Sequence, residues 1–192
     1  MILGTDANQV LLKALITMRL LDPNATSNPD AVKAAIERWQ PITGDDLVKI
    51  INDNYADQIQ AEASYIPLFR LGLWNNETDE PVTLQESITS NLNWLFLLRR
   101  TIAQQKYPLV LLDIVGSSTP DNRGMLVPAG RGARHWLVVT GLTSWSQWMQ
   151  GTQYHWVRVA NPFENETEYY PWDTFIGSIE NLPPNLVTVS KK

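Results

Sequence analysis

The sequence contains no cysteine, which removes disulfides, thiolate metal ligands and cysteine nucleophiles from the chain as written. Histidine is scarce as well: the chain has two, and neither belongs to a His-Glu-x-x-His zinc motif. The sequence also lacks an Asp-rich calcium loop and the Gly-x-Ser-x-Gly motif of serine hydrolases. We therefore expect no metal site, no cofactor and no serine nucleophile.

Basic residues are too few for a typical nucleic-acid surface. The chain has 15 Lys and Arg against 20 Asp and Glu, a net charge of −5. The apolar run nearest to a membrane span, Asn93 to Leu98, is short and is followed by Arg99 and Arg100. We expect neither a nucleic-acid partner nor a membrane span. The sequence leaves localisation open, and its apolar start directly after Met1 is consistent with residues missing upstream.

The order of the predicted elements indicates an α+β fold in a single domain covering residues 1–192. With 44% hydrophobic and 18% charged residues, the chain can bury a core of ordinary size. Helical patterns come first and mostly antiparallel strands follow. Helices are predicted over Val10 to Leu21, Asn28 to about Trp39, Thr43 to about Tyr55, and Thr83 to about Gln105. Strands are predicted at 109–115, 134–141, 154–160, 169–171 and 185–190.

Two details of this prediction concern the middle of the chain. Residues 58–81 carry Pro and Gly in an apolar segment, so we expect irregular structure with at most a short strand. In the long helix that starts after Thr83, several apolar residues recur on one side. They are Ile88, Leu92, Leu95, Phe96 and Ile102.

The chemistry of interest is predicted at the end of two neighbouring strands. His135 opens an apolar strand that runs to Gly141, and the next strand closes with Asn161. In an antiparallel hairpin the start of one strand lies beside the end of the next, so the Asn161 amide could orient the His135 ring. An imidazole held by an amide supplies two of the three groups of a nucleophile–base–orienter triad. The structural alternative, a buried histidine without catalytic role, is how we interpret His155.

Four motifs in this region resemble the papain-like cysteine peptidases related to the double-glycine leader peptidases of bacteriocin exporters. The resemblance covers roughly residues 105–176 and depends on the order and spacing of the motifs, since each alone is weak. They are Lys106-Tyr107-Pro108 before a strand, the His135–Gly141 strand, Val157-Arg158-Val159-Ala160-Asn161-Pro162, and Tyr169-Tyr170-Pro171-Trp172-Asp173-Thr174-Phe175. The resemblance implies a papain-like fold in which N-terminal helices pack on a mostly antiparallel sheet.

The resemblance also implies a nucleophilic cysteine at the start of the first buried helix, where the helix dipole favours the thiolate. Aligning Asp6 with the family's Asp-Cys-Gly-Pro motif places Ala7 at the nucleophile, and Asn8-Gln9 replaces Gly-Pro. Three explanations stay open: an engineered Cys-to-Ala change, a natural loss that leaves a pseudo-enzyme, or a different alignment. The family's oxyanion-hole glutamine would fall at or before Met1 and cannot be assigned.

Several functions are compatible with this pattern. The first is a papain-like peptidase domain for a peptide or protein substrate, with His135 as base and Asn161 as its orienter, inactive as written because of Ala7. The second is a non-catalytic module of the same fold that binds a peptide or a protein. The third is another thiol acyl-transfer enzyme, such as an amidase. In the first two, Trp136, Trp145 and Trp148 are the predicted substrate-binding residues.

Overall fold

The computed structural model describes residues 43–76, 78–115, 125–143, 155–161 and 166–192, without the side chains of Asn54, Asn161 and Glu166. The helices of this part are α1 (Gly44–Asn54), α2 (Leu84–Ala103) and α3 (Trp172–Ser178). The strands are β1 (Ile59–Ser64), β2 (Trp74–Asn75), β3 (Glu80–Pro81), β4 (Tyr107–Ile114), β5 (Ala133–Leu142), β6 (Trp156–Asn161), β7 (Glu166–Pro171) and β8 (Leu186–Lys191). The helices predicted over 10–21 and 28–39 lie outside the described residues.

A six-stranded sheet forms the centre of the described fold. Its strand order is β1-β8-β4-β5-β6-β7, and every neighbouring pair is antiparallel. Strands β2 and β3 form a separate two-stranded hairpin. The α+β class with an antiparallel sheet is therefore confirmed. None of the described helices is long and apolar enough to cross a membrane.

Helices cover both faces of the sheet, so its strands are buried on two sides. Strand residues point alternately to the two faces, which gives two separate cores. The core under α1 contains Leu47, Ile51, Tyr55, Leu109, Trp136, Val138, Val187 and Val189. The core under α2 and α3 contains Trp94, Leu98, Val110, Leu112, Leu137, Val139, Val159, Phe175 and Ile176.

Helices α1 and α2 begin where the sequence predicts, because each has a complete capping box. The hydroxyl of Thr43 accepts a hydrogen bond from the Asp46 backbone N–H at 3.1 Å, and the Asp46 carboxylate accepts one from the Thr43 backbone. Thr83 and Glu86 repeat this exchange at the start of α2, at 3.2 and 2.8 Å. Each box satisfies two backbone donors that a helix start otherwise leaves without a partner.

The segment 58–81 is more regular than its sequence suggests. Strand β1 spans six residues and pairs with β8 along its whole length, from Ile59 opposite Lys191 to Ser64 opposite Leu186. The sequence of β1 has alanine at two of its three inward positions, a residue depleted in strands, so its local signal is weak. Pairing with β8 and packing under α1 stabilise the strand instead.

The apolar side predicted for α2 is only partly its buried side. Trp94 and Leu98 are fully buried, and Leu95 is 8% exposed. By contrast, Ile88, Leu92 and Phe96 are 47%, 39% and 50% exposed. The helix therefore has apolar residues on two sides, and the sequence pattern alone does not tell which side meets the sheet.

Candidate functional site

His135 is the third residue of β5, and its Cα lies directly opposite that of Leu112 in β4. Only 3% of its surface is exposed. It precedes Leu137 by two residues, so the alternation of the strand places it on the side of the sheet covered by α2 and α3. The sequence prediction of a histidine at the entry of a buried strand is therefore confirmed.

Burial determines the charge state of this histidine. Desolvation lowers the pKa of His135 to about 4, because an imidazolium in an apolar interior loses its hydration. At neutral pH the ring is therefore uncharged. A neutral imidazole can accept a proton, but holding that proton in this environment requires a nearby negative charge.

Asn161 lies at the end of the neighbouring strand, as the sequence predicts. It is the last residue of β6 and pairs with Glu166 of β7. Strands β5 and β6 pair through Val138 and Ala160, so Asn161 comes one residue after a paired residue of β6, and His135 comes three residues before that residue's partner in β5. The antiparallel arrangement of the two strand ends is thus present. The Asn161 side chain lies outside the described atoms, so its hydrogen bond to His135 stays a prediction.

Trp136, predicted to bind substrate, is packed in the core under α1. It is 5% exposed and lies in one cluster with Leu47 and Ile51. A Cβ built on Gly44, the first residue of α1, would be 3.2 Å from the Trp136 ring. The structure thus gives Trp136 a packing role, and the substrate contact stays a prediction. Three further predicted residues, Ala7, Trp145 and Trp148, lie outside the described residues.

Two buried carboxylates that the sequence analysis did not single out hold the segment leading into β5. Asp113 Oδ2 accepts hydrogen bonds from the backbone N–H of Arg131 at 3.1 Å and of Gly132 at 3.3 Å. Glu180 Oε1 accepts one from the backbone N–H of Gly130 at 2.9 Å. Asp113 is 1% exposed and Glu180 is 7% exposed. Three consecutive backbone donors, three to five residues before His135, are therefore fixed by one side chain from β4 and one from the connection after α3.

Glycine is required in this segment, which we call the 130–132 turn. Gly130 has a φ of +78°, a left-handed conformation that residues with a Cβ adopt only with strain. A Cβ on Gly132 would lie 2.3 Å from the backbone oxygen of Ile114, well inside van der Waals contact. The close approach of the 130–132 turn to the end of β4 sets the path of the chain into β5.

Two arginines surround the carboxylates. Arg134 Nε lies 3.6 Å from Glu180 Oε2. The Arg70 guanidinium donates to the carbonyl oxygens of Gly177 and Ile179, at and just beyond the C-terminus of α3. Burial lowers the pKa of Arg70, while Glu180 and Asp113 oppose this effect. The Arg70 guanidinium stays charged, and its favourable interactions with Glu180 and Asp113 add to the contact between Arg134 and Glu180.

One signal in the sequence could have identified Asp113. It is the only charged residue in the otherwise apolar strand Tyr107–Ile114, and buried carboxylates in proteins are normally hydrogen-bonded or paired. Glu180 has no comparable signal, because it lies in a polar connection after α3. In the part of the chain with described coordinates, no cluster of three or more His, Asp or Glu could hold a metal ion.

Searches against protein-family models, curated proteins and solved structures find no match for this chain.

Proposed function

We propose that this chain is a papain-like cysteine peptidase-like domain that binds a peptide and, as written, does not hydrolyse it. The observation that carries the proposal is the buried His135 at the entry of β5, beside the strand that ends at Asn161. This arrangement would suit a base and its orienter in an acyl-transfer triad. The remaining member, a thiol, would belong at position 7, where the chain has Ala7.

In the cysteine form, the chemistry would follow from the burial of His135. The imidazole takes the thiol proton, and the resulting thiolate attacks the carbonyl carbon of the peptide bond. His135 then gives the proton to the leaving amine, and water hydrolyses the thioester with the same imidazole as base. The thiolate would raise the pKa of His135 from its low value, since an opposite charge favours the imidazolium.

A second candidate is a non-catalytic module of the same fold. It is favoured by the low pKa of His135, since a ring that stays neutral down to about pH 4 needs no charged partner to be stable in the core. In this alternative His135 is a packing residue, and peptide recognition depends on other surfaces. Thiol acyl transfer to another acceptor, as in an amidase, would use the same residues as the peptidase.

Installing a thiol at position 7 tests the proposal. We expect Ala7→Cys to react with iodoacetamide at neutral pH faster than Ala56→Cys, a control thiol at an exposed position of the described chain. Adding His135→Ala to the Ala7→Cys chain should slow the reaction to the rate of the control. If labelling at position 7 does not depend on His135, the triad does not exist and the binding module is the better account.

A further inference from the structure

In the described part of the chain, the six-stranded sheet has two outer strands, β1 and β7. The backbone groups on the free side of an outer strand need water or another partner. Helix α1 supplies such partners to β1. The Asn52 side chain accepts a hydrogen bond from the Ala61 backbone N–H at 2.8 Å and donates one to the Ala61 carbonyl oxygen at 2.9 Å. The Ile59 N–H donates to the Tyr55 carbonyl oxygen. The free side of β1 is therefore largely closed.

Strand β7 has backbone groups that α1 and the other described elements leave open. The Trp172 N–H donates to the His155 carbonyl oxygen, which fixes the direction of the hydrogen bonds along the pairing of β6 with β7. In an antiparallel pair, every second residue turns its N–H and C=O toward the neighbouring strand. Counting back from Trp172, the residues of β7 that point away from β6 are Thr167, Tyr169 and Pro171.

The residues of β7 suit an accessible outer strand. Pro171 lacks an N–H, and a sheet tolerates proline where that N–H would point outward, as it does here. Tyr169 is 60% exposed, and Thr167 is exposed as well. Lysine, which often protects outer strands from pairing, is absent from β7. An extended chain could therefore pair with β7 through the backbone groups of Thr167 and Tyr169.

The charge around β7 indicates which chain would pair with it. Glu168 lies within the strand, and its carboxylate accepts a hydrogen bond from the Tyr170 hydroxyl. Opposite charges directly across two neighbouring strands attract, and like charges repel. Arg158 of β6 lies across from Tyr169, on the other side of the sheet from Glu168. Residues 159–190 contain no lysine or arginine, and they contain five acidic residues: Glu164, Glu166, Glu168, Asp173 and Glu180.

We propose that β7 is the docking strand for an extended peptide with basic side chains, which adds to the sheet beside β7. Hydrogen bonds to the backbone of Thr167 and Tyr169 give the affinity, and Glu168 gives the preference for lysine or arginine. The inference rests on the proposed peptide binding and names the chemistry of the peptide, but it does not depend on the triad. Strand β7 begins at the end of the sheet where β6 closes with Asn161, so the added chain extends toward the candidate site.

An NMR titration of the isotope-labelled chain with acetyl-Thr-Lys-Thr-Lys-Thr-amide tests the proposal. We expect the amide signals of Thr167 and Tyr169 to move and their hydrogen exchange to slow, because both N–H groups gain an acceptor. The same peptide with glutamate in place of lysine should bind roughly 3- to 30-fold more weakly. If these two amides do not respond, or if both peptides bind equally, the proposal is overturned.

Two substitutions of Tyr169 separate strand addition from contact with the tyrosine ring. Both Tyr169→Ala and Tyr169→Pro remove the ring, but only proline removes the outward N–H, which β6 does not use. We expect Tyr169→Pro to bind the lysine peptide at least about tenfold more weakly than Tyr169→Ala. Equal binding by the two variants overturns the proposal. If Tyr169→Pro does not fold, the titration of the wild-type chain decides.

Two further outcomes identify what has failed. If the exchange of Thr167 and Tyr169 slows with protein concentration and without peptide, the occupant of β7 is a second copy, and the proposal is wrong. If labelling of Ala7→Cys depends on His135 but no peptide adds to β7, the docking strand is rejected and the proposed triad stands. Binding at β7 without that dependence supports the docking strand and rejects the triad.

Discussion

The backbone N–H of Gly132 donates a hydrogen bond to the Asp113 carboxylate at 3.3 Å, and this contact ties the entry of β5 to the end of β4. Asp113 lies opposite Arg134 in the pairing of the two strands, one residue before the position of His135. Asp113 thus helps to fix the position of His135, the candidate base, although Asp113 does not belong to the candidate triad. Two predictions concern this contact.

Replacing Asp113 by alanine should lower the free energy of unfolding by about 2–4 kcal/mol, since two backbone donors lose a charged acceptor in a buried place. Asp113→Asn should lower the free energy of unfolding less, because one oxygen remains for the two donors. Its amide nitrogen would take the place of Oδ1, which has no hydrogen-bond partner within the described structure. Urea denaturation measures both. Asp57→Ala, at an exposed position, is the control. A loss no larger than that of Asp57→Ala would contradict the anchoring role of Asp113.

Gly132→Ala should destabilise the fold by about 1–3 kcal/mol, because its Cβ would meet the Ile114 backbone oxygen at 2.3 Å and a backbone atom cannot move aside cheaply. The matched control is Gly177→Ala in α3, where an added Cβ has no neighbour within 4 Å. There the change should be neutral or stabilising, since alanine is the better helix former. Thermal unfolding of the two variants compares them. Equal melting temperatures would show that the 130–132 turn relaxes without cost.

Stability should depend on pH through His135. Its pKa is about 4 in the folded chain and about 6.5 in the unfolded chain, so between these values the unfolded chain binds more protons. The contribution of the neutral His135 ring to the free energy of unfolding is fully present above pH 6.5 and is lost as the pH falls to 4. It amounts to about 3 kcal/mol.

Carboxylates titrate in the same range, so the test is the difference between variants. Denaturation at several pH values should show that the wild-type chain loses more of its free energy of unfolding between pH 7 and pH 4 than His135→Gln does. If His135→Gln and the wild-type chain lose the same stability between pH 7 and pH 4, the histidine is not buried as a neutral ring.

The starts of α1 and α2 could be predicted from sequence because a capping box is a local signal, complete within four residues. The pairing of β5 with β6 could be predicted as well, since two apolar strands separated by a short connection favour antiparallel neighbours. Strand β1 was missed because its alanines give no local preference for a strand. Its stability comes from β8, more than a hundred residues later in the chain.

The site shows the same division between local and distant signals. His135 and Asn161 could be proposed as neighbours because strand ends in a hairpin meet by topology. The roles of Asp113 and Glu180 could not, because they depend on backbone donors from a loop whose path is set by tertiary packing. The sequence also could not show which side of α2 is exposed, since both sides of the helix carry apolar residues.

The central claim, that a thiol at position 7 would share a proton with His135, can be tested most directly by an NMR titration of the imidazole. His155→Gln, present in both chains that are compared, leaves one histidine signal to follow. We predict a pKa of about 4 for His135 in the chain with Ala7, and an apparent pKa higher by about 1–3 pH units in the Ala7→Cys chain, because a thiolate stabilises the imidazolium. An identical titration of His135 in the two chains would contradict the claim.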